Sequence, residues 1–221
     1  MTTGDAFGVI FDMDGVLVDS AESHFESWVR LARECNRSVT REQFAQTFGR
    51  QNRDIIPILF GDGTERRLTA LANRKEELYR DLIRQKPPIV DGASRLLHDL
   101  HEAGIRVAVG SSAPKENIDL ILATLGVGDC VSTVVSGDDH ERGKPDPQVF
   151  LLAARGLDLD PSRCVVVEDA PVGIQAARAA QMRTVAVLLY HPANAFDRPD
   201  LLVPTLSDLT VDRLLTLART A

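Results

Sequence analysis

A chain of 221 residues that is 44% hydrophobic and 26% charged has globular composition and enough apolar mass for one sizeable core, or a core with a smaller insert. Its 32 acidic residues against 25 basic ones leave a formal net charge of −7, so a polyanion gains little from meeting its surface and nucleic acid is a poor partner. Cys35, Cys130 and Cys164 lie far apart with no CxxC spacing, against a disulfide framework or a structural zinc site; no leader is apparent and no apolar run nears the ~18 residues that span a bilayer, so a cytoplasmic protein away from the membrane is expected.

The first apolar run, residues 7–11, lacks alternation and reads as a buried parallel strand. It ends in Asp12-Met13-Asp14-Gly15. Two carboxylates at i and i+2 just past a buried strand are costly unless a cation or a proton neutralises them. Asp and Gly are also common turn formers, and the pair alone serves either reading.

From about residue 18 to 88 the pattern is helical throughout. Phe25, Trp28, Val29 and Leu31 form one apolar face of a first helix, and a later helix over 64–84 ends before Pro87-Pro88. No stretch there reads as a strand. The expectation is an all-helical cap over 18–88, inserted after the first strand of an α/β core made of 1–17 and 89–221. Inserts at strand ends overlie the carboxyl edge of such sheets, where ligands bind.

Beyond the insert, strands and helices alternate. Apolar runs at 105–109, 131–135, 164–167 and 184–188 read as strands. A helix over 92–103 is closed by Gly104, and Pro114, Pro147 and Pro171 suit the first turns of further helices. The segment 190–199 reads as an irregular loop because Pro192 and Pro199 exclude regular pairing. Ser207 or Asp208 is expected to cap a last helix reaching residue 218. The alternation predicts a doubly wound, Rossmann-like parallel sheet.

Polar residues gather at the strand ends. Ser111 and Ser112 follow the second strand just ahead of a helix start, where hydroxyls and backbone N–H groups cradle a phosphate; plain N-capping explains them equally well. Arg142-Gly143-Lys144-Pro145 holds a lysine on a stiff loop as a fixed positive charge. Glu168-Asp169 ends the fourth strand with the hard oxygen ligands that magnesium prefers. Each signal is weak alone, and their order at corresponding strand ends makes them jointly strong.

Asp12-Met13-Asp14-Gly15-Val16, Ser111, Lys144-Pro145 and Glu168-Asp169 resemble the four motifs of the haloacid dehalogenase superfamily, over nearly the whole chain. The helical insert resembles that superfamily's cap placed after the first motif. The resemblance implies that Asp12 attacks phosphorus and becomes an aspartyl phosphate, while Asp14 serves as acid and then base. It implies that Ser111 and Lys144 hold the phosphoryl oxygens, with Ser112 a further substrate contact. Mg²⁺ would sit on the Asp12 carboxylate, the Asp14 backbone carbonyl and the Asp169 carboxylate, with Glu168 as a ligand or a neighbour supporting one.

The cap carries a second resemblance. Residues 20–25 and Trp28 look like the corresponding helix of β-phosphoglucomutases, in which His24 matches a histidine that works with the acid/base aspartate. Gly49-Arg50-Gln51-Asn52-Arg53 looks like a substrate-facing loop, where Arg53 matches an arginine gripping a second phosphate; Lys75 matches another cap lysine. All three substrate-binding candidates also read as solvated residues. Ser111-Ser112-Ala113-Pro114 lacks the Ser-Lys-Asn run of the mutases and looks more like sugar-phosphate phosphatases. The reading is therefore a Mg²⁺-dependent phosphatase of a small sugar or polyol phosphate, with a hexose-phosphate mutase as the alternative. A non-catalytic phospho-ligand-binding protein is a third reading, disfavoured by four intact motifs. A small phosphorylated metabolite is the expected partner, and nothing in the sequence bears on oligomeric state.

Overall fold

Valine- and isoleucine-rich runs without alternation suit strands covered on both faces, and those runs form the sheet of the computed structural model, which describes residues 6–47 and 50–219. The strands are β1 (Gly8–Phe11), β2 (Arg106–Gly110), β3 (Thr133–Val135), β4 (Cys164–Glu168), β5 (Arg183–Val187) and β6 (Leu201–Val203). All pair in parallel, in the order β3-β2-β1-β4-β5-β6. Strand order reverses between β1 and β4, and that switch point opens a crevice at their carboxyl ends.

The helices are α1 (Ala21–Glu34), α2 (Arg41–Thr47), α3 (Asn52–Phe60), α4 (Glu65–Gln85), α5 (Ala93–Glu102), α6 (Lys115–Leu125), α7 (Gln148–Gly156), α8 (Pro171–Ala179) and α9 (Val211–Arg219). Two compact units divide the chain, Met1–Asp19 with Ile89–Ala221, and Ser20–Pro88. In the first, α7 and α8 cover one sheet face through Val149, Phe150, Ala153, Ala176 and Ala177, packed on Ile10, Ala108, Val135 and Val166. The alternate residues Val9, Phe11, Val107, Val109, Val165 and Val167 are equally buried on the other face. The doubly wound sheet is thus the fold the alternation predicts. No described helix is long and apolar enough to cross a membrane.

The second unit buries Trp28, Leu31, Ala32, Ile55, Ile56, Leu59, Phe60 and Leu78 together. Its first helix keeps the expected apolar face except at Val29: Trp28 and Leu31 are buried and Phe25 packs against their cluster, while Val29 is only partly buried and His24 and Ser27 turn inside. A pattern that counts apolar residues passes over polar ones that turn inward. The loop expected over 49–53 is also different. Gly49 lies outside the described residues, and Asn52 and Arg53 already belong to α3.

Three further expectations are corrected. The sheet has a sixth strand, β6, which escapes a sequence reading because Leu201–Val203 is too short to show a pattern. Pro114 and Pro147 stand one residue ahead of their helices, at the N-cap, whereas Pro171 does open α8. Ser207 and Asp208 do not cap the last helix. They sit in a separate one-turn helix closed by a Thr205–Asp208 capping box, and α9 starts after Thr210, whose hydroxyl accepts from Arg213 N–H at 3.3 Å.

Candidate active site

Asp12 stands one residue past β1 and continues its ladder, its N–H donating to the Val167 carbonyl at 3.0 Å. By register it lies level with Gly110 on one side and Glu168 on the other. The chain then folds back on itself: N–H groups of Val16, Leu17 and Val18 all turn toward the Met13 carbonyl, and Gly15 N–H meets Val18 at 2.7 Å. Gly15 takes φ +81, and a Cβ there would lie 2.0 Å from Asp169 Oδ2. Only glycine satisfies both demands, so it brings the backbone after β1 against the acid after β4. Gly173 does the same for Glu168: a Cβ at this position in α8 would lie 1.7 Å from Glu168 Oε1.

Asp12, Glu168 and Asp169 are all buried, and one oxygen of each falls within 4.8 Å of the others. Lys144 enters from its loop and sets Nζ 3.0 Å from Asp12 Oδ1 and 2.7 Å from Glu168 Oε1, its side chain 6% exposed. The Phe150 ring lies under this ammonium, 4.9 Å from its centroid. Glu168 Oε2 accepts from Ala170 N–H at 2.7 Å, so both its oxygens are engaged. Asp12 Oδ1 has the lysine nearby but no aligned hydrogen bond.

Three buried carboxylates face one ammonium, which leaves the cluster with excess negative charge. Burial pushes the Asp12 carboxyl up to about 7, Lys144 opposes the rise, and Glu168 and Asp14 add to it. Burial and the charges of Glu168 and Asp12 likewise hold Asp169 well above the usual carboxylate range. Burial alone would lower the Lys144 pKa, but Asp12 and Glu168 outweigh it and keep the group firmly protonated. An all-oxygen donor set, an excess of two negative charges and a buried oxygen without an aligned hydrogen bond together fit a hard divalent cation.

Ser111 follows β2 beside this cluster. Its N–H donates to the Val135 carbonyl at 2.9 Å, and its hydroxyl accepts from Ala113 N–H at 3.1 Å. Ser112 is half-buried at the same turn. Asp14 is half-buried past β1, and its carboxylate is not one of the three clustered groups. The first unit therefore brings Asp12, Asp14, Ser111, Ser112, Lys144, Glu168 and Asp169 to one sheet edge. Phe150 and the Ala170 N–H are parts of this arrangement that strand-end reasoning did not single out.

The remaining candidates lie in the second unit. Lys75 is buried there, with Nζ 2.7 Å from His24 Nδ1 and 2.8 Å from Glu76 Oε1. Asn52 donates to the same Glu76 oxygen at 2.7 Å, and the His24 and Tyr79 rings stack with centroids 4.0 Å apart. An ammonium can only donate, so His24 accepts at Nδ1 and carries its ring proton on Nε2. Arg53 is exposed on the first turn of α3. Glu76 and Tyr79 escape the sequence reading, and Asn52 is visible there only as part of the 49–53 segment; the signal available is Lys75 and Tyr79 at i and i+4 on one helix face.

A family model for haloacid dehalogenase-like hydrolases matches residues 8–181. The chain belongs to this family. It is similar to the β-phosphoglucomutase of Bacillus subtilis, with 35% identity over 93% of this chain and 92% of that one. It is also similar to the validoxylamine A 7'-phosphate phosphatase of Streptomyces hygroscopicus, at 31% identity over 90% and 94% of the two chains. Among solved structures of the fold, β-phosphoglucomutase from Clostridium difficile superposes with a TM-score of 0.86 at 26% identity, covering 97% of this haloacid dehalogenase-like chain and 98% of the other.

Burial alone would raise the Glu76 carboxyl, but the charge of Lys75 and the hydrogen bonds from Lys75 and Asn52 outweigh it and bring it down to about 2. A carboxylate depressed from 4.5 on folding stabilises the protein fully above that pH, and the contribution is lost as pH falls through the folded value. Glu76→Gln should cost about 3–5 kcal/mol at neutral pH, because it strands a buried ammonium. Denaturant unfolding from pH 7 down to 3 should show the difference from wild type shrinking. A constant difference across that range would contradict an ionised Glu76.

Proposed function

We propose that this protein is a Mg²⁺-dependent phosphatase that cleaves a small sugar or polyol phosphate through an aspartyl phosphate on Asp12. The observation that carries the reading is the placement of Lys144 between Asp12 and Glu168, at 3.0 and 2.7 Å. A nucleophilic carboxylate and a phosphate repel each other, and a fixed ammonium at the nucleophile lessens that repulsion where the two must meet. Asp12, Asp169 and Glu168, with the Asp14 carbonyl, would hold Mg²⁺, which when bound supplies the rest of the charge neutralisation.

In the first step an Asp12 oxygen forms a bond to phosphorus as the bond to the ester oxygen breaks, and Asp14 gives that oxygen its proton. In the second, Asp14 takes a proton from water as the water oxygen bonds to phosphorus, releasing phosphate and restoring Asp12. Ser111 and Ser112 hold phosphoryl oxygens at the turn after β2, and Lys144 follows the charge through both steps. We infer that the unit of residues 20–88 is a cap that selects the substrate, with Arg53 and the Nε2–H of His24 as its contacts and Lys75 fixing the histidine. Scattered cysteines and an acidic surface favour a cytoplasmic enzyme of small phosphorylated metabolites over one that binds nucleic acid or membrane.

One observation favours a second reading. The B. subtilis relative is named a β-phosphoglucomutase and matches over nearly the full length of both chains. In a mutase the same aspartyl phosphate passes to a sugar hydroxyl instead of water. Against it stands Ser111-Ser112-Ala113-Pro114, which lacks the mutase run after the first serine.

A panel of sugar and polyol phosphates with Mg²⁺ should release inorganic phosphate, and Asp12→Asn should lower that release by roughly 10³-fold or more. Given β-glucose 1-phosphate and a trace of the bisphosphate, fast formation of glucose 6-phosphate without free phosphate would establish the mutase instead. Mg²⁺ at a hundredfold excess over Kd should add about 2.7 kcal/mol, raising the melting temperature by roughly 5–10 °C. Asp169→Asn should lose most of that rise. An equal rise in the variant would remove Asp169 from the metal site.

A further inference from the structure

The opposite edge of the sheet carries a second constellation. Arg183 opens β5, Asp200 directly precedes β6, and Ser162 lies two residues ahead of β4. These residues, with Arg178, Gln181 and Arg198, line a cavity of about 280 Å³. It therefore sits at the amino ends of the strands, roughly 13–16 Å along β4 and β5 from the carboxylate cluster.

The loop at residues 196–200 is pinned to this cavity from two sides. Arg183 pairs with Asp200 at 3.0 Å, and Asp200 also accepts from the Thr184 N–H and hydroxyl, each at 2.8 Å. Arg178 donates to the carbonyls of Asp197 and Arg198 at 2.6 and 3.0 Å. Those acceptors are neutral, so they hold the Arg178 guanidinium in place without cancelling its charge. Arg198 itself is left over. Among the described residues its guanidinium has no hydrogen-bond or ion-pair partner, and its backbone sits at φ +47 directly before Pro199. That conformation is rare for a side-chain-bearing residue and is sustained only where the surroundings enforce it. Gln181, across the cavity, is also left-handed at φ +61.

Three arginines against one aspartate leave the lining with a formal charge of +2, on a chain whose total is −7. The recess is open to solvent, with Arg178, Gln181, Arg198 and Asp200 exposed along it, and its volume suits a single small ion. Planar guanidinium forks match the oxygens of phosphate better than any point charge. We propose that this cavity binds a small dianionic oxyanion, inorganic phosphate or the phosphoryl group of a metabolite, between Arg178 and Arg198. The site is separate from the one at the carboxyl edge and does not depend on the chemistry assigned there.

Calorimetric titration of the full chain in a metal chelator, with inorganic phosphate and separately with methyl phosphate, tests it. Wild type and Asp12→Ala should bind alike. Arg198→Gly, which suits the left-handed backbone, should bind at least about tenfold more weakly, a loss of one charge-assisted contact. Arg198→Lys should fall between them, which separates loss of charge from loss of fold. Tighter binding of methyl phosphate assigns the site to an esterified phosphoryl group, binding of inorganic phosphate alone assigns it to the free ion, and equal binding shows that the site reads the phosphoryl oxygens common to both. The proposal is overturned by an affinity that Arg198→Gly leaves unchanged, by binding that disappears in Asp12→Ala, or by no binding of either probe up to about 10 mM, where affinity is too weak to matter.

Discussion

Asp12, Glu168 and Asp169 are buried within reach of one another, and among the described residues Lys144 is the cation paired with them. Desolvated like charges repel strongly, and each carboxylate taken from water needs a counter-charge or a proton. The lysine satisfies Glu168 and half-satisfies Asp12, and Asp169 is left dependent on something more. That imbalance gives the site its chemistry. A divalent cation would bring the cluster to neutrality and, in doing so, return Asp12 to the ionised form a nucleophile requires. A phosphate approaching such a site meets compensated charge instead of bare carboxylates.

The fold makes the imbalance possible through topology. Because strand order reverses between β1 and β4, their carboxyl ends face one crevice, and residues 156 positions apart in sequence (Asp12 and Glu168) become level neighbours. Close approach is then a matter of missing side chains. Gly15 lets the turn after β1 close on Asp169, and Gly173 lets the first turn of α8 close on Glu168. Any larger residue at either place would have to displace a carboxylate. The second unit resolves the same problem in another way: Lys75, buried under Trp28 and Tyr79, is held by its chain neighbour Glu76 and hands a hydrogen bond to His24.

Much of this was legible in the sequence where a physical demand leaves a local mark. Buried parallel strands must be continuously apolar, so β1, β2, β4 and β5 stand out, and the polar residues just past them are conspicuous for interrupting the run. Asp12, Ser111, Glu168 and Asp169 were readable for that reason, and Lys144 because glycine and proline flank it. Where the demand is tertiary the mark is absent. β6 is three residues long and takes its strand identity from pairing with β5. Phe150 reads as one more core residue of α7 until the ammonium above it is seen. The inward turn of His24 and the pairing of Lys75 with Glu76 depend on α1, α3 and α4 packing together, so helical periodicity gave Val29 a burial that belongs to Ser27 and His24.

As the nucleophile, Asp12 must bond to phosphorus during turnover. Quenching the enzyme with a turned-over sugar phosphate and Mg²⁺, then reducing with borohydride and mapping peptides by mass, reads this bond directly, since an acyl phosphate is reduced and a free carboxylate is not. The expected result is reduction of Asp12 to homoserine, dependent on substrate, with Asp14, Glu168 and Asp169 untouched. Phosphate release under the same conditions with Asp12 unreduced, or with the mark on another carboxylate, would contradict it.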